Sequence, residues 1–176
     1  DDPAAVEENR RRAAAHFGAG NDDLLTCHQI HSSNPLLAAD RWNHRPEGDA
    51  VVAAVPGLVC GVLSADCAPV LIVDPEARIA AAAHAGWRGA LSGIVGRTVD
   101  LMVAQGADTR RMVAAVGPCI GPASYEVGPE FRETFVETDP DFARYFVEAH
   151  GAKARFDLPA FVLGRIAEAG VLHAEW

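Results

Sequence analysis

The sequence lacks any uninterrupted apolar run of the roughly 18 to 20 residues that a membrane-spanning helix requires, so we expect no membrane partner. It has no CxxC pair either, and its four cysteines, at positions 27, 60, 67 and 119, form no closely spaced framework. In a chain of this length such cysteines indicate free thiols in a reducing compartment. No apolar leader follows Asp1, so we predict no signal peptide and a cytoplasmic location.

Basic side chains are in the minority. Lys and Arg number 15 against 24 for Asp and Glu, which gives a net charge of −9 at pH 7. This charge repels polyanions, and we therefore expect no nucleic-acid partner. The other proportions, 49% hydrophobic and 22% charged residues, are those of a globular protein. We expect one domain over residues 1–176, and the composition does not indicate its oligomeric state.

Short apolar runs alternate with segments of helical periodicity along the chain, which predicts a mixed α/β (α+β) fold. Strands are predicted within 23–37, 58–63, 69–73, 79–84 and 112–116, and helices over 3–17, 87–105, 130–137 and 157–169. Asp157 and Gly170 are expected to cap the last helix, and Gly106 to end the helix over 87–105.

Three residues with metal-binding side chains, His31, Cys67 and His84, lie at the edges of predicted strands. Two imidazoles and a thiolate suit a catalytic zinc site, in which water takes the fourth position. The three residues are far apart in sequence, so no local zinc-finger spacing supports this interpretation. The structural alternative stays open, because such cysteines and histidines are often core residues. Asp66 is either a hydrogen-bonding partner of a ligand or a turn cap.

His28 and His31 are separated by an odd offset of three positions. Side chains alternate between the two faces of a strand, so an unbroken strand would point these two histidines in opposite directions. We therefore predict that His28 lies off the metal site.

The segment 86–89 follows a predicted strand and opens a helix. Backbone N–H groups, the positive end of the helix and the guanidinium of Arg88 could together hold an anion such as phosphate. An ordinary glycine-containing turn with a surface arginine is the structural alternative.

Five motifs in the same order resemble the YfiH-type laccase-domain family. They are His28-Gln-Ile-His-Ser32, Ser64-Ala-Asp-Cys-Ala-Pro-Val-Leu71, Ala83-His-Ala-Gly-Trp-Arg-Gly89 and Gly117-Pro-Cys-Ile-Gly-Pro122, followed by Tyr125-Glu-Val-Gly128. The resemblance implies a YfiH-like layered β-sheet core with flanking helices. It places the family's metal-binding His, Cys and His on His31, Cys67 and His84. An N-terminal Arg-x-Gly-Gly-Val-Ser segment and a C-terminal Phe-Ser-Tyr-Arg-Arg segment, usual in that family, are missing from this sequence.

The resemblance also implies a function. The family was first labelled a multicopper polyphenol oxidase and is now associated with zinc-dependent phosphorolysis of adenosine, inosine, guanosine and methylthioadenosine, and with deamination of adenosine. Purine nucleoside and phosphate are then the expected partners, with Zn²⁺ as cofactor, copper as an alternative, and His31, Cys67, His84 and Arg88 as catalytic residues. Bacterial members are also linked to peptidoglycan-precursor editing.

The alternative functions differ in what they require of these residues. A complete laccase needs about ten histidines, whereas this chain has 7 and no His-x-His pair, although copper could still bind at the three predicted ligands. A metal-free cysteine hydrolase would use Cys67 as nucleophile and His84 as base, and would leave His31 optional. A binding domain without catalytic activity would hold no ordered metal.

Overall fold

A computed structural model of the chain describes residues 2–148 and 153–176. Its α-helices are α1 Pro3–His16, α2 Trp87–Ser92, α3 Ile94–Ala104, α4 Pro129–Thr138 and α5 Leu158–Glu168. Its strands are β1 Leu24–Leu25, β2 Pro35–Ala38, β3 Ala50–Ala53, β4 Val59–Cys60, β5 Ala68–Asp74, β6 Ile79–Ala85, β7 Val113–Val116, β8 Glu126–Val127, β9 Phe146–Glu148, β10 Ala154–Phe156 and β11 His173–Glu175. The predicted mixed α/β class is confirmed.

A six-stranded sheet in the order β11-β7-β5-β6-β3-β2 forms the centre of the molecule. The two outermost pairings are parallel, and the three inner pairings, β7 with β5, β5 with β6 and β6 with β3, are antiparallel. Smaller sheets join β1 to β4 and β8, β10 and β9 to one another. Strand β6 is the alanine-rich segment; it lies inside the sheet and is buried at nearly every position. Short apolar runs of this kind are typical of central strands.

Alternate residues of the sheet enter two separate cores. In β3, Val52 packs into the larger core, which also contains residues of α3 and α5 and the rings of Phe135 and Phe156. Val51 packs into a smaller core with Leu25 and Cys27. On the second face Leu71 and Val113 remain about half exposed. Helices α2, α3 and α5 therefore lie on one face of the sheet, and β1, β4 and the residues next to them cover part of the other.

Two predicted elements are interrupted. The chain within 23–37 is not one strand: it pairs at β1, at an isolated bridge at His28 and at β2, and His31 has a left-handed φ of 58°. The helix predicted over 87–105 is broken at Gly93, whose φ of 95° ends α2 and precedes α3. The strand predicted over 58–63 shortens to β4. By contrast, α5 has the expected caps, since Asp157 accepts a hydrogen bond from the Ala160 N–H and Gly170 has a φ of 87°.

In the described part of the chain, no helix combines the length and apolar character needed to cross a bilayer.

Candidate metal centre

Three chain segments meet at one end of the central sheet. Cys67 directly precedes β5 and His84 is the second-last residue of β6, and the antiparallel register pairs Ala68 with Ala85. His31 lies in the loop before β2, which reaches the same end because β2 pairs with β3 and β3 with β6. Residues that are distant in sequence are thus brought together by strand pairing.

The potential donor atoms of His31, Cys67 and His84 all lie within 4.8 Å of one another. The Cys67 Sγ is 3.8 Å from the His31 Nε2, and the two imidazole rings meet edge to face with centroids 4.9 Å apart. His84 is buried, Cys67 is partly buried and His31 is exposed, so the group has a protected base and an open side. Two imidazoles and one thiol so arranged could bind a metal ion.

Asp49, at the start of β3, is fully buried and holds two of these segments together. Its carboxylate lies 3.0 Å from the His84 Nδ1 and accepts hydrogen bonds from the N–H groups of Ile30, His31 and Ser32 and from the Ser32 hydroxyl. Burial acts to raise the pKa of Asp49, but the hydrogen bonds from Ser32 and His84 outweigh it and leave the pKa below its usual value. Asp49 is therefore a carboxylate that can orient His84.

The contact with Asp49 decides which nitrogen of His84 is available. Because Nδ1 faces the carboxylate, Nε2 is the nitrogen left to face His31 and Cys67. A metal-ligating histidine characteristically donates its second ring N–H to such a carboxylate. The three N–H groups bound by Asp49 also span His31, and so they stabilise its left-handed backbone, which costs a non-glycine residue roughly 1–3 kcal/mol.

Gly86 leaves the space that this group occupies. A Cβ on Gly86 would lie 2.7 Å from the Cys67 Sγ and 3.1 Å from the His31 Cδ2. A Cβ on Gly89 would lie 2.8 Å from the Ser32 carbonyl oxygen. The glycines of segment 86–89 are thus required for close packing against the donor residues, and the donor set together with the Asp49 contact fits a zinc ion.

Other residues singled out in the sequence lie around this group. Arg88 is exposed on α2, a helix of only six residues, with its guanidinium carbon 5.0 Å from the centroid of the Trp87 ring. His28 is exposed and bridges to Glu47, outside the donor group. Asp66 is exposed. The pKa of the Cys67 thiol is raised by the burial of Cys67 and by the nearby charges of Asp66 and Asp49. The residue that sequence reasoning missed is Asp49; an acidic residue before a buried strand is its only signal.

A cavity of about 130 Å³ opens beside Cys67. Its lining residues are Asp66, Cys67, Trp87, Ile120, Tyr125 and Leu158. A larger cavity of about 670 Å³ lies near Phe17 and Arg41 and contains none of the three donor residues. The small cavity therefore provides the space next to the candidate metal centre.

The profile of the family described as "Multi-copper polyphenol oxidoreductase laccase" matches residues 1–176. The chain belongs to this family. The resemblance to YfiH-type proteins is thereby confirmed, as is the expected fold class. The family description is compatible with one metal ion bound at His31, Cys67 and His84. A complete laccase would need about ten histidines, whereas this chain has 7.

Relatives in the laccase-domain family carry a nucleoside-related name. A purine nucleoside phosphorylase of Deinococcus radiodurans is 44% identical over 137 residues, which cover 77% of this chain and 53% of the relative. Purine nucleoside phosphorylase YfiH of Escherichia coli is 36% identical over 97% of this chain and 68% of its own length. The chain thus spans about half the length of the Deinococcus protein.

A solved structure shares the fold. The Neisseria meningitidis protein NMB0706 has a TM-score of 0.88 and 32% identity, covering 99% of this chain and 69% of the other. The two proteins thus share one fold over nearly the whole of this chain.

Proposed function

We propose that the chain carries the centre of a zinc-dependent purine nucleoside enzyme that phosphorolyses adenosine, inosine, guanosine and methylthioadenosine and deaminates adenosine. The observation that carries the proposal is the convergence of His31, Cys67 and His84, with His84 held by the buried Asp49. The names of the relatives support the substrate class. The cytoplasm remains the proposed location.

His31, Cys67 and His84 are the residues that would hold the zinc ion. When bound, zinc supplies Lewis-acid chemistry, which can lower the pKa of water toward about 7. Copper is the alternative ion, because the same imidazole and thiolate donors also suit it. Zinc is preferred here because the proposed reactions transfer groups and do not change oxidation states.

The remaining side chains position the substrate. The cavity beside Cys67 offers the aromatic rings of Trp87 and Tyr125, which suit a purine base, and the carboxylate of Asp66 as a hydrogen-bond acceptor. Arg88 contacts the ring of Trp87, and so its positive charge lies near this cavity. We assign it to phosphate, whose negative charge an arginine offsets. Asp49 keeps His84 in one orientation while the substrate binds.

The test compares His31→Ala with His28→Ala in protein purified without added metal. His31→Ala should lose most of the bound zinc, measured by elemental analysis, and both nucleoside activities. His28→Ala should keep nearly the zinc content of the unsubstituted chain, because His28 lies outside the donor group. Equal zinc loss in both variants, or stoichiometric copper in place of zinc, would contradict the proposal.

The cysteine hydrolase remains a distinct alternative because Cys67 contacts the imidazole of His31 directly. The predicted pairing of Cys67 with His84 also fits the geometry, because Asp49 takes up the His84 Nδ1 and leaves Nε2 free to face Cys67. A metal-free hydrolase should keep its activity after chelation of all metal, whereas the zinc enzyme should lose it.

A further inference from the structure

Cys119 lies opposite Cys67 in the register of the central sheet. Strands β5 and β7 pair antiparallel from Val73 with Val113 to Val70 with Val116. Continuing this register by three positions sets Cys67 opposite Cys119. Directly opposed residues of antiparallel strands have Cα atoms about 4.5–5.5 Å apart, which is within the range of a disulfide.

Cys67 and Cys119 lie just beyond the ends of β5 and β7, and a backbone hydrogen bond joins the two segments on each side of them. The Gly117 N–H donates to the Pro69 carbonyl at 2.8 Å, and the Ile120 N–H donates to the Asp66 carbonyl at 2.9 Å. The two bonds lie three positions apart, an odd number, so the regular ladder ends at this point, yet both bonds keep the two segments side by side. The two chain segments are thus fixed next to each other immediately before and after the cysteine pair.

Both thiols are free and only partly buried, so a small oxidant can reach them. Burial raises the pKa of the Cys119 thiol, a hydrogen bond with Trp176 acts in the opposite direction, and the charges of Asp157 and Cys67 raise the pKa further by smaller amounts. The Cys67 sulfur now points toward His31 and the space above Gly86. Bonding to Cys119 would require it to turn away from the donor group.

We propose that Cys67 and Cys119 form a reversible disulfide that removes Cys67 from the metal centre. Hydrogen peroxide is the oxidant: its O–O bond breaks, the Sγ–Sγ bond forms, and two electrons and two protons pass from the thiols to give two water molecules. A disulfide sulfur has no thiolate to offer a metal, so metal binding and the disulfide exclude each other. This inference rests on the proposed role of Cys67 as a metal ligand.

The first measurement is the cross-link itself, in the full chain. Metal-stripped protein is treated with hydrogen peroxide, free thiols are alkylated, and peptides are mapped by mass spectrometry. We expect one peptide pair joined through Cys67 and Cys119, with Cys27 and Cys60 alkylated. Protein loaded with zinc alone should form this cross-link at least about tenfold more slowly, because the metal holds the thiolate. A disulfide between other cysteines, or equal rates with and without zinc, would overturn the proposal.

The second measurement is zinc content after oxidation. In the unsubstituted chain zinc binding should fall at least about tenfold and return after dithiothreitol, since a disulfide is reducible. In Cys119→Ser, and in Cys119→Ala should the serine disturb folding, peroxide should convert Cys67 to sulfinic acid, and zinc binding should not return. Cys60→Ser is the matched control and should behave like the unsubstituted chain. Full recovery in both Cys119 variants would overturn the proposal.

The two proposals fail separately. If the reduced chain binds no zinc, the proposed function fails, while the mapped cross-link still establishes the cysteine pair as a site of oxidation. If zinc binds and no Cys67–Cys119 cross-link forms, only the disulfide is overturned.

Discussion

At the scale of single residues, Asp49 determines the shape of the candidate centre. Its carboxylate joins the loop that carries His31 to the imidazole of His84. Asp49→Asn keeps the size of the side chain but replaces an acceptor oxygen with an N–H donor that faces other donors. We expect zinc affinity to fall by about 10- to 100-fold, measured by competition with a chromophoric chelator.

Asp157→Asn provides the matched control for that substitution. Asp157 caps α5 by accepting a hydrogen bond from the Ala160 N–H, and it makes no hydrogen bond to a donor residue in the structure. Its replacement should change the free energy of unfolding by about 1 kcal/mol or less, with zinc affinity unchanged. Equal zinc affinities in Asp49→Asn and the unsubstituted chain would show that Asp49 does not orient His84.

Arg88 separates the two proposed reactions. Phosphorolysis needs phosphate, whereas deamination does not, so Arg88→Ala should weaken phosphorolysis by about 2–4 kcal/mol in transition-state stabilisation and leave deamination nearly unchanged. Purine-base release with phosphate and inosine formation without it are the two assays. The exposed Arg97 on α3 is the control, and Arg97→Ala should affect neither reaction. Parallel losses in both assays would indicate that Arg88 only braces the turn.

The sequence allowed the three donor residues to be predicted through their motifs, but not the residue that positions them. Asp49 acts on His31 from 18 positions away, and its bonds to three successive N–H groups hold a loop where a strand was expected. His28 does lie outside the donor group, yet alternation along a strand is not the reason, since no continuous strand joins the two histidines. Such a loop conformation depends on tertiary hydrogen bonds that local patterning does not contain.

At the scale of secondary-structure elements, the passage from β6 to α2 depends on Gly86. Its φ of −66° is open to any residue, so Gly86→Ala introduces only the clash of a Cβ with Cys67 and His31. We expect this variant to lose most of its zinc binding. Gly96→Ala in α3 is the control, because nothing lies within 4 Å of its Cβ.

The control variant, Gly96→Ala, should keep its zinc binding and become more stable. An alanine inside a helix has less conformational freedom in the unfolded state than glycine, so Gly96→Ala should raise the free energy of unfolding by about 0.5–1 kcal/mol. Urea denaturation and zinc titration on both variants test the pair. Normal zinc binding by Gly86→Ala would show that a Cβ at position 86 fits beside Cys67 and His31 without displacing them.

Asp74 stabilises the turn between β5 and β6 through hydrogen bonds and an ion pair. This buried carboxylate bonds to Arg111 and to the N–H groups of Ala77 and Asp108, and the Arg111 guanidinium holds its pKa well below the usual range. A lowered pKa stabilises the folded state above about pH 4, and that contribution is lost as the pH falls further. The free energy of unfolding should therefore decline more steeply below pH 4 in the unsubstituted chain than in Asp74→Asn. Parallel pH curves from urea denaturation would contradict this.

The long, strongly patterned elements were predictable, as α1, β5, β6 and α5 show. The short strands β3 and β8 to β11 were not predicted, because two to four residues carry too little periodicity. The break at Gly93 was also missed: the apolar period continues across it, and only the left-handed backbone of Gly93 separates α2 from α3.

At the scale of the whole molecule, the candidate centre is built within the part of the fold shared with NMB0706. All three donor residues and Asp49 come from residues 31–84, while the chain covers 69% of that structure. Metal binding is therefore testable on this chain as it stands.

The wide spacing of the donor residues ties metal affinity to folding. An unfolded chain would have to close two long loops to bring His31, Cys67 and His84 together, so the metal binds the native state almost exclusively. Mass action then adds the binding free energy to the stability of the fold, about 4.1 kcal/mol at a free metal concentration 1,000 times Kd. With zinc bound as proposed, the melting temperature of this protein should therefore rise as the free zinc concentration rises.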